Sequence, residues 1–121
     1  MSEVCVISIY VPDIVKAMDF YTTVLGFKVD QKYGSKIVSL VNGELPFILE
    51  EKEQGTCDPS TKPAGVVLAL KTEDIDRTVK ALKEHGVAFI IDEPTDCPVG
   101  KFISFRDPFG NVLEYLQFGR L

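Results

Sequence analysis

One order of secondary structure occurs twice in this chain, and that repetition limits the folds open to it. An apolar stripe with helical spacing begins after Asp13 and ends at Gly26. A second stripe begins after Asp74 and ends at Gly86, roughly 60 residues later. Each stripe follows one strand-like run and precedes three more. The sequence therefore predicts an α+β fold of two βαβββ modules, each with a helix on one face of a curved mixed sheet. The opposite faces are expected to form a cup.

The predicted elements follow from alternation, β-branched content and turn residues. In the first module we expect strands at 4–11, 27–33, 36–41 and 45–50, with a helix from residue 14 to residue 25. In the second we expect a strand at 65–70, a helix from residue 75 to residue 85, a strand at 87–91, a loop at 93–100 and a hairpin over 102–118. The predicted organisation is a single domain over residues 1–121, with module one at 1–53, a linker at 54–63 and module two at 64–121.

The hairpin near the C-terminus is the clearest local signal. Two runs rich in aromatic and β-branched residues flank Asp107-Pro108-Phe109-Gly110, in which Pro108 favours a turn and Gly110 permits a positive φ. Glu114 then stands among apolar neighbours in the second strand. A carboxylate in that place faces either water or a cavity, and the two alternatives differ in what the protein can do.

Composition excludes several classes of partner. The chain has 121 residues, 45% of them hydrophobic, and a formal net charge of −5. A net anion without a basic cluster is not suited to nucleic acid or to an anionic membrane. No apolar run approaches the ~20 residues that span a bilayer, and no secretory signal is evident. The three cysteines, an odd count, fit free thiols in a reducing compartment. These features predict a cytoplasmic protein with no nucleic-acid or membrane partner.

Two segments resemble a known family. The first segment is Tyr10-Val11-Pro12-Asp13 leading into residues 19–27. The second is residues 105–111 with Leu113-Glu114-Tyr115. Both resemble signatures of the glyoxalase / bleomycin-resistance / extradiol-dioxygenase superfamily, also called vicinal oxygen chelate (VOC) proteins. The resemblance covers nearly the whole chain and implies the glyoxalase/bleomycin resistance/dioxygenase fold. It does not specify a reaction, because this fold is associated with lyases, dioxygenases, other resistance enzymes and metal-free antibiotic-binding proteins.

The resemblance also implies where a divalent metal would be bound in the enzymes of this family. Its ligands come from the first and last strands of each module, which here correspond to Val6, Val67, either Leu49 or Glu50, and Glu114. Valine has no donor atom, and the single histidine of the chain rules out a pair of histidine ligands. We therefore predict no metal and no cofactor.

The remaining pattern favours a binding site for a small molecule. Alternation along the strands places a mostly apolar set in the cup, with Glu114 as its carboxylate; the predicted ligand-binding residues are Val6, Ser8, Tyr10, Leu49, Val67, Ala69 and Glu114. The expected ligand is small, mostly apolar and possibly cationic, bound by a homodimer. One alternative is a VOC enzyme, a glyoxalase-like lyase or dioxygenase, that depends on a metal or uses Glu114 as a catalytic general base. Another alternative is that Glu114 lies at the rim of the cup, paired with a lysine or arginine such as Lys101 or Arg106, and contributes little to binding.

Overall fold

Each half of the chain folds into a four-stranded mixed sheet with one helix packed on it. The computed structural model describes residues 4–53 and 66–119. They belong to two units, the first within Met1–Asp58 and the second within Pro59–Leu121. The predicted linker at 54–63 lies outside the described residues. No helix among the described residues is long and apolar enough to cross a membrane.

The first unit has strand order β1-β4-β3-β2, with β1 parallel to β4 and the other pairs antiparallel. Its elements are β1 (Ile7–Val11), α1 (Ile14–Asp19) with a π-helical continuation (Phe20–Val24), β2 (Val29–Lys32), β3 (Ile37–Leu40) and β4 (Phe47–Glu51).

The second unit repeats this order as β5-β8-β7-β6, with β5 parallel to β8. Its elements are β5 (Leu68–Lys71), α2 (Ile75–Glu84), β6 (Ala88–Cys97), β7 (Gly100–Arg106) and β8 (Val112–Phe118). The predicted α+β class with a βαβββ order in each half is confirmed.

The two helices begin in the same way. The side chains of Asp13 and Asp74 accept hydrogen bonds from backbone amides three residues on, as N-caps do. The first amide of each helix donates instead to the last strand of its own sheet. Glu51 accepts this bond at 3.0 Å in the first unit, and Gln117 accepts it at 2.7 Å in the second. These bonds join the start of each helix to the strand at the centre of its sheet.

The core of each unit lies between the helix and one face of the sheet. The fully or nearly fully buried apolar residues of the first unit are Ile9, Val11, Ile14, Ala17, Phe20, Tyr21, Val38, Leu40, Phe47 and Leu49. Those of the second are Ile75, Val79, Leu82, Ile103, Phe105 and Leu113. Each large side chain contributes roughly 1.5–3 kcal/mol when it is buried, so this packing decides which face of each strand is covered.

The turn between β7 and β8 is held by the buried carboxylate of Asp107. One of its oxygens accepts from the backbone amides of Phe109 and Asn111, both at 2.9 Å, and the other accepts from the Asn111 side chain at 2.9 Å. Gly110 has a φ of 94°, which favours glycine there. The predicted hairpin is confirmed, and its turn sets the register that places Glu114.

The prediction of a loop at 93–100 is wrong for most of that range, because β6 continues through Cys97. Pro94 lies within this strand. It is accommodated because β6 is an edge strand, and because the pairing with β7 shifts register between Ile91 and Thr95. Pro94 is not a paired position, so its missing amide removes no hydrogen bond between β6 and β7.

Replacing Asp107 by alanine should destabilise the protein strongly. Asp107→Ala removes three hydrogen bonds and leaves buried donors unpaired, so we expect the free energy of unfolding to fall by roughly 2–4 kcal/mol. Urea denaturation measures this change. The control is Asp30→Ala on the exposed strand β2, which should change stability by less than about 0.5 kcal/mol. Equal effects of the two substitutions would contradict this account of the turn.

Candidate functional site

The second sheet has one face that is not covered by α2, and Glu114 lies on it. Leu113 pairs with Phe105 and lies on the buried face, whereas Glu114 points the opposite way, between Ala69 of β5 and Ser104 of β7. In the next row, Leu116 pairs with Phe102. We call this surface the open face of the second unit: Ala69, Phe102, Ser104, Glu114 and Leu116.

A recess of about 290 Å³ lies on this face. It is lined by Cys97, Val99, Phe102, Glu114 and Leu116, so one carboxylate and one thiol face a mostly apolar wall. Cys97 is a free thiol of intermediate exposure. This composition is typical of a small-molecule site, in which a few polar atoms orient a largely apolar ligand.

The two basic residues considered as partners of Glu114 make other bonds. Lys101 donates to the Asp96 carboxylate at 2.8 Å, and this hydrogen bond and the charge of Asp96 raise the pKa of Lys101. Arg106 donates from Nη1 to the backbone carbonyl of Gly110 at 2.8 Å. Within residues 4–53 and 66–119, no hydrogen bond or ion pair to Glu114 is present. The alternative of a carboxylate paired with Lys101 or Arg106 is therefore wrong.

Tyr115, next to Glu114 in β8, belongs to the other face of the sheet. It pairs with Ile103, and its ring stacks on Phe105 with the centroids 5.8 Å apart. Burial raises the pKa of its hydroxyl. Tyr115 is therefore a packing residue, with its side chain turned away from Glu114.

In the first unit, the face opposite the core carries Ser8, Tyr10, Ile48 and Glu50. Ser8 and Tyr10 are exposed, and their predicted role in ligand binding stays a prediction. Lys52 approaches the same face, with its Nζ 3.2 Å from the Glu50 carboxylate and 5.7 Å from the centre of the Tyr10 ring. The carboxylate of Glu50 on this face is therefore already paired with a lysine of the same unit.

The prediction that Leu49 lies on the ligand-binding face is wrong. Leu49 has no exposed surface and pairs with Ile9 and Val38, which are also core residues. The physical reason is the two-residue period of a strand, because an error of one position exchanges the two faces. Of the two alternatives, Glu50 lies on the face with Tyr10.

Strand register identifies the position in the first unit that corresponds to Glu114. Ile48 pairs with Ser39 of β3, just as Glu114 pairs with Ser104 of β7. The corresponding residue is therefore Ile48, and neither Leu49 nor Glu50. Ile48 was missed because the number of residues between the start of the helix and the last strand differs between the two units.

The side chains present do not fit a divalent metal. The family resemblance implies ligands at Val6, Val67 and Glu114, and the strand register replaces its fourth position, Leu49 or Glu50, by Ile48. Val6, Val67 and Ile48 have no side-chain donor atom, so Glu114 is the one ligand type among the four. A divalent ion in a protein site needs several oxygen, nitrogen or sulfur donors. Among the described residues, no three His, Cys, Asp or Glu side chains are grouped closely enough to hold one.

The structure places the other predicted site residues as follows. Ala69 lies beside Glu114, and Val67 immediately precedes β5 and is 40% exposed. Val6 immediately precedes β1 and is 43% exposed. The predicted set omitted Ser104 and four residues of the recess, namely Cys97, Val99, Phe102 and Leu116. Counting alternate positions around the hairpin from Glu114 would have found Phe102 and Ser104.

Comparisons with known proteins agree on one family. A model of the Glyoxalase/Bleomycin resistance protein/Dioxygenase superfamily matches residues 4–115. The chain is 27% identical over 118 residues to the uncharacterized protein YetH of Bacillus subtilis (strain 168), covering 93% of this chain and 95% of that protein. It is similar to the solved structure of TnmS3, an antibiotic binding protein from Streptomyces sp. CB03234, with 31% identity, 98% of each chain covered and a TM-score of 0.71. It is also similar to a glyoxalase/bleomycin resistance protein from the same organism, with 29% identity, 93% of this chain and 97% of that chain covered, and a TM-score of 0.66.

The opposite orientations of Leu49 and Glu50 can be tested by truncation. Leu49→Ala leaves a cavity in the core and should lower the free energy of unfolding by roughly 2–5 kcal/mol. Glu50→Ala removes only a partly exposed ion pair and should cost less than about 1 kcal/mol. Chemical denaturation of both variants measures the difference. A larger loss for Glu50→Ala than for Leu49→Ala would mean that the register of β4 is misassigned.

Proposed function

This chain belongs to the Glyoxalase/Bleomycin resistance protein/Dioxygenase superfamily, and we propose that it binds a small, mostly apolar, cationic molecule in the recess of its second unit, without a metal. The observation that carries the proposal is the environment of Glu114. Its carboxylate lines a mostly apolar recess, and no cation among the described residues pairs with it.

Removing an ionised carboxylate from water costs free energy. Beside apolar walls, an ionised side chain loses part of its hydration, and this loss is unfavourable unless a counter-charge replaces it. A bound cation supplies that charge. Phe102 and Leu116 then contact the apolar body of the ligand, and the Phe102 ring adds attraction for a positive group near its face.

The size of the recess favours a compact ligand. Its volume of about 290 Å³ lies near the lower end of the roughly 300–1,000 Å³ that small-molecule pockets span. A molecule of one or two rings matches that space. The similarity to an antibiotic binding protein at 31% identity supports a binding role for this chain.

The alternative of a VOC enzyme has less support from the residues. A metal-dependent lyase or dioxygenase requires ligands that Val6, Val67 and Ile48 do not supply. A metal-free reaction with Glu114 as general base would use the same recess. It stays a prediction, and Cys97 is the other titratable side chain that lines the recess with Glu114 among the described residues.

We also propose that the protein acts in the cytoplasm as a homodimer. The cytoplasmic prediction rests on the free thiols of Cys5 and Cys97, which fit a reducing compartment. The dimer prediction rests on the family resemblance and on the open edges of each sheet, which pairing would cover.

Charge selection by Glu114 can be tested with a matched pair of probes. 1-Naphthylmethylamine is cationic and 1-naphthylmethanol is its neutral analogue, so we expect the amine to bind the wild-type protein roughly tenfold more tightly. Glu114→Gln should remove this preference. Binding is measured by the chemical shifts of backbone amides in an NMR titration, with Glu93→Gln on the exposed part of β6 as control.

Two results would contradict the proposal. One is equal binding of the amine and the alcohol to the wild-type protein. The other is a preference for the amine that survives Glu114→Gln, because the cation would then be bound by another group.

A further inference from the structure

Ser104 is a buried side chain whose hydroxyl has no hydrogen-bond partner in the part of the chain that the structure describes. It is only 5% exposed and lies directly opposite Glu114 on the open face of the second unit. Among the described residues, no hydrogen bond to the Ser104 hydroxyl is present. Every fully enclosed polar side-chain atom in the described residues does have a partner. The Ser104 oxygen is therefore not fully enclosed and remains reachable from the open face.

A hydroxyl on so deeply placed a residue usually has a hydrogen-bond partner in the protein. The turn next to this site shows that outcome, because the buried Asp107 and Asn111 bond to each other. No described residue provides such a partner for Ser104, although its neighbours Phe102 and Glu114 line the recess. Its oxygen is therefore available to a ligand that enters from the open face.

We propose that Ser104 contacts the ligand and, with Glu114, selects a cation that carries at least two N–H groups, such as a primary ammonium or an amidinium. This inference rests on the proposed function, since it concerns the same recess. Side chains directly opposite each other on neighbouring strands have Cβ atoms about 4.5–5.5 Å apart. One ligand nitrogen placed over both residues donates one hydrogen to the Glu114 carboxylate and a second to the Ser104 oxygen.

The geometry separates two kinds of cation that have the same charge. A quaternary ammonium satisfies the charge of Glu114, but it has no hydrogen to donate and leaves Ser104 unpaired. A primary ammonium satisfies both oxygens. Discrimination between such ligands is strong where a site is built to form a hydrogen bond, because the wrong ligand leaves a buried polar atom unpaired.

The first unit provides a matched control residue. Ser39 occupies the position in β3 that corresponds to Ser104, is 4% exposed, and likewise has no hydrogen bond among the described residues. It lies opposite Ile48 instead of a carboxylate. Replacing Ser39 therefore removes the same buried hydroxyl without removing a partner of Glu114.

The experiment compares two probes with the same ring system, 1-naphthylmethylamine and its N,N,N-trimethyl derivative, by NMR titration of the full chain. We expect Ser104→Ala to weaken binding of the primary amine roughly tenfold and to leave binding of the trimethyl derivative unchanged. Ser39→Ala should leave both affinities unchanged. Ser104→Ala should not lower the midpoint of urea unfolding, because the folded protein loses no hydrogen bond.

The outcomes separate this inference from the proposed function. If neither probe shifts amides of β7 and β8 in the wild-type protein, the proposed function and this inference both fail. If both probes bind there but Ser104→Ala weakens them equally, or weakens neither, only the role of Ser104 is overturned. Equal losses in Ser104→Ala and Ser39→Ala would also overturn it, since a general effect of serine removal would then explain the result.

Discussion

The position of Glu114 depends on the burial of the residue before it. Leu113 has no exposed surface and packs on the same side of the sheet as Ile103 and Phe105. Because side chains alternate along a strand, burying Leu113 directs Glu114 to the open face. The Asp107 turn reinforces this choice by fixing the register of β8 against β7. A one-residue slip would bury an unpaired carboxylate and expose the core, and both changes are unfavourable.

The two units show how a duplicated scaffold becomes chemically asymmetric. Both join the start of the helix to the last strand, and both place a buried serine on the strand next to it. They differ at the residue opposite that serine, which is Ile48 in the first unit and Glu114 in the second. The shared bonds hold the start of each helix on its sheet, whereas, of these two positions, only the one on the open face of the second unit holds a carboxylate. Function therefore has to be argued from the side chains of this chain, because the fold is common to many activities.

The sequence predicted the fold well and the site only in part. The repeat, the helix caps and the hairpin turn are local signals, so their residues specify them directly. Strand parity is different, since it depends on pairing between distant segments. For this reason Leu49 was assigned to the wrong face and Ile48 was overlooked. The length of β6 is a related case, because a proline such as Pro94 excludes a central strand but is compatible with an edge strand. The proposed role of Ser104 depends on its burial and on the lack of a partner among the described residues, which no sequence pattern reveals.

We propose that Glu114 acts as a carboxylate in a mostly apolar recess and not as a metal ligand. Inductively coupled plasma mass spectrometry of the protein, purified without chelators, tests this proposal. We expect far less than one divalent transition metal ion per chain, with no dependence of that content on Glu114→Gln. One tightly held ion per chain, lost on Glu114→Gln together with thermal stability, would contradict it.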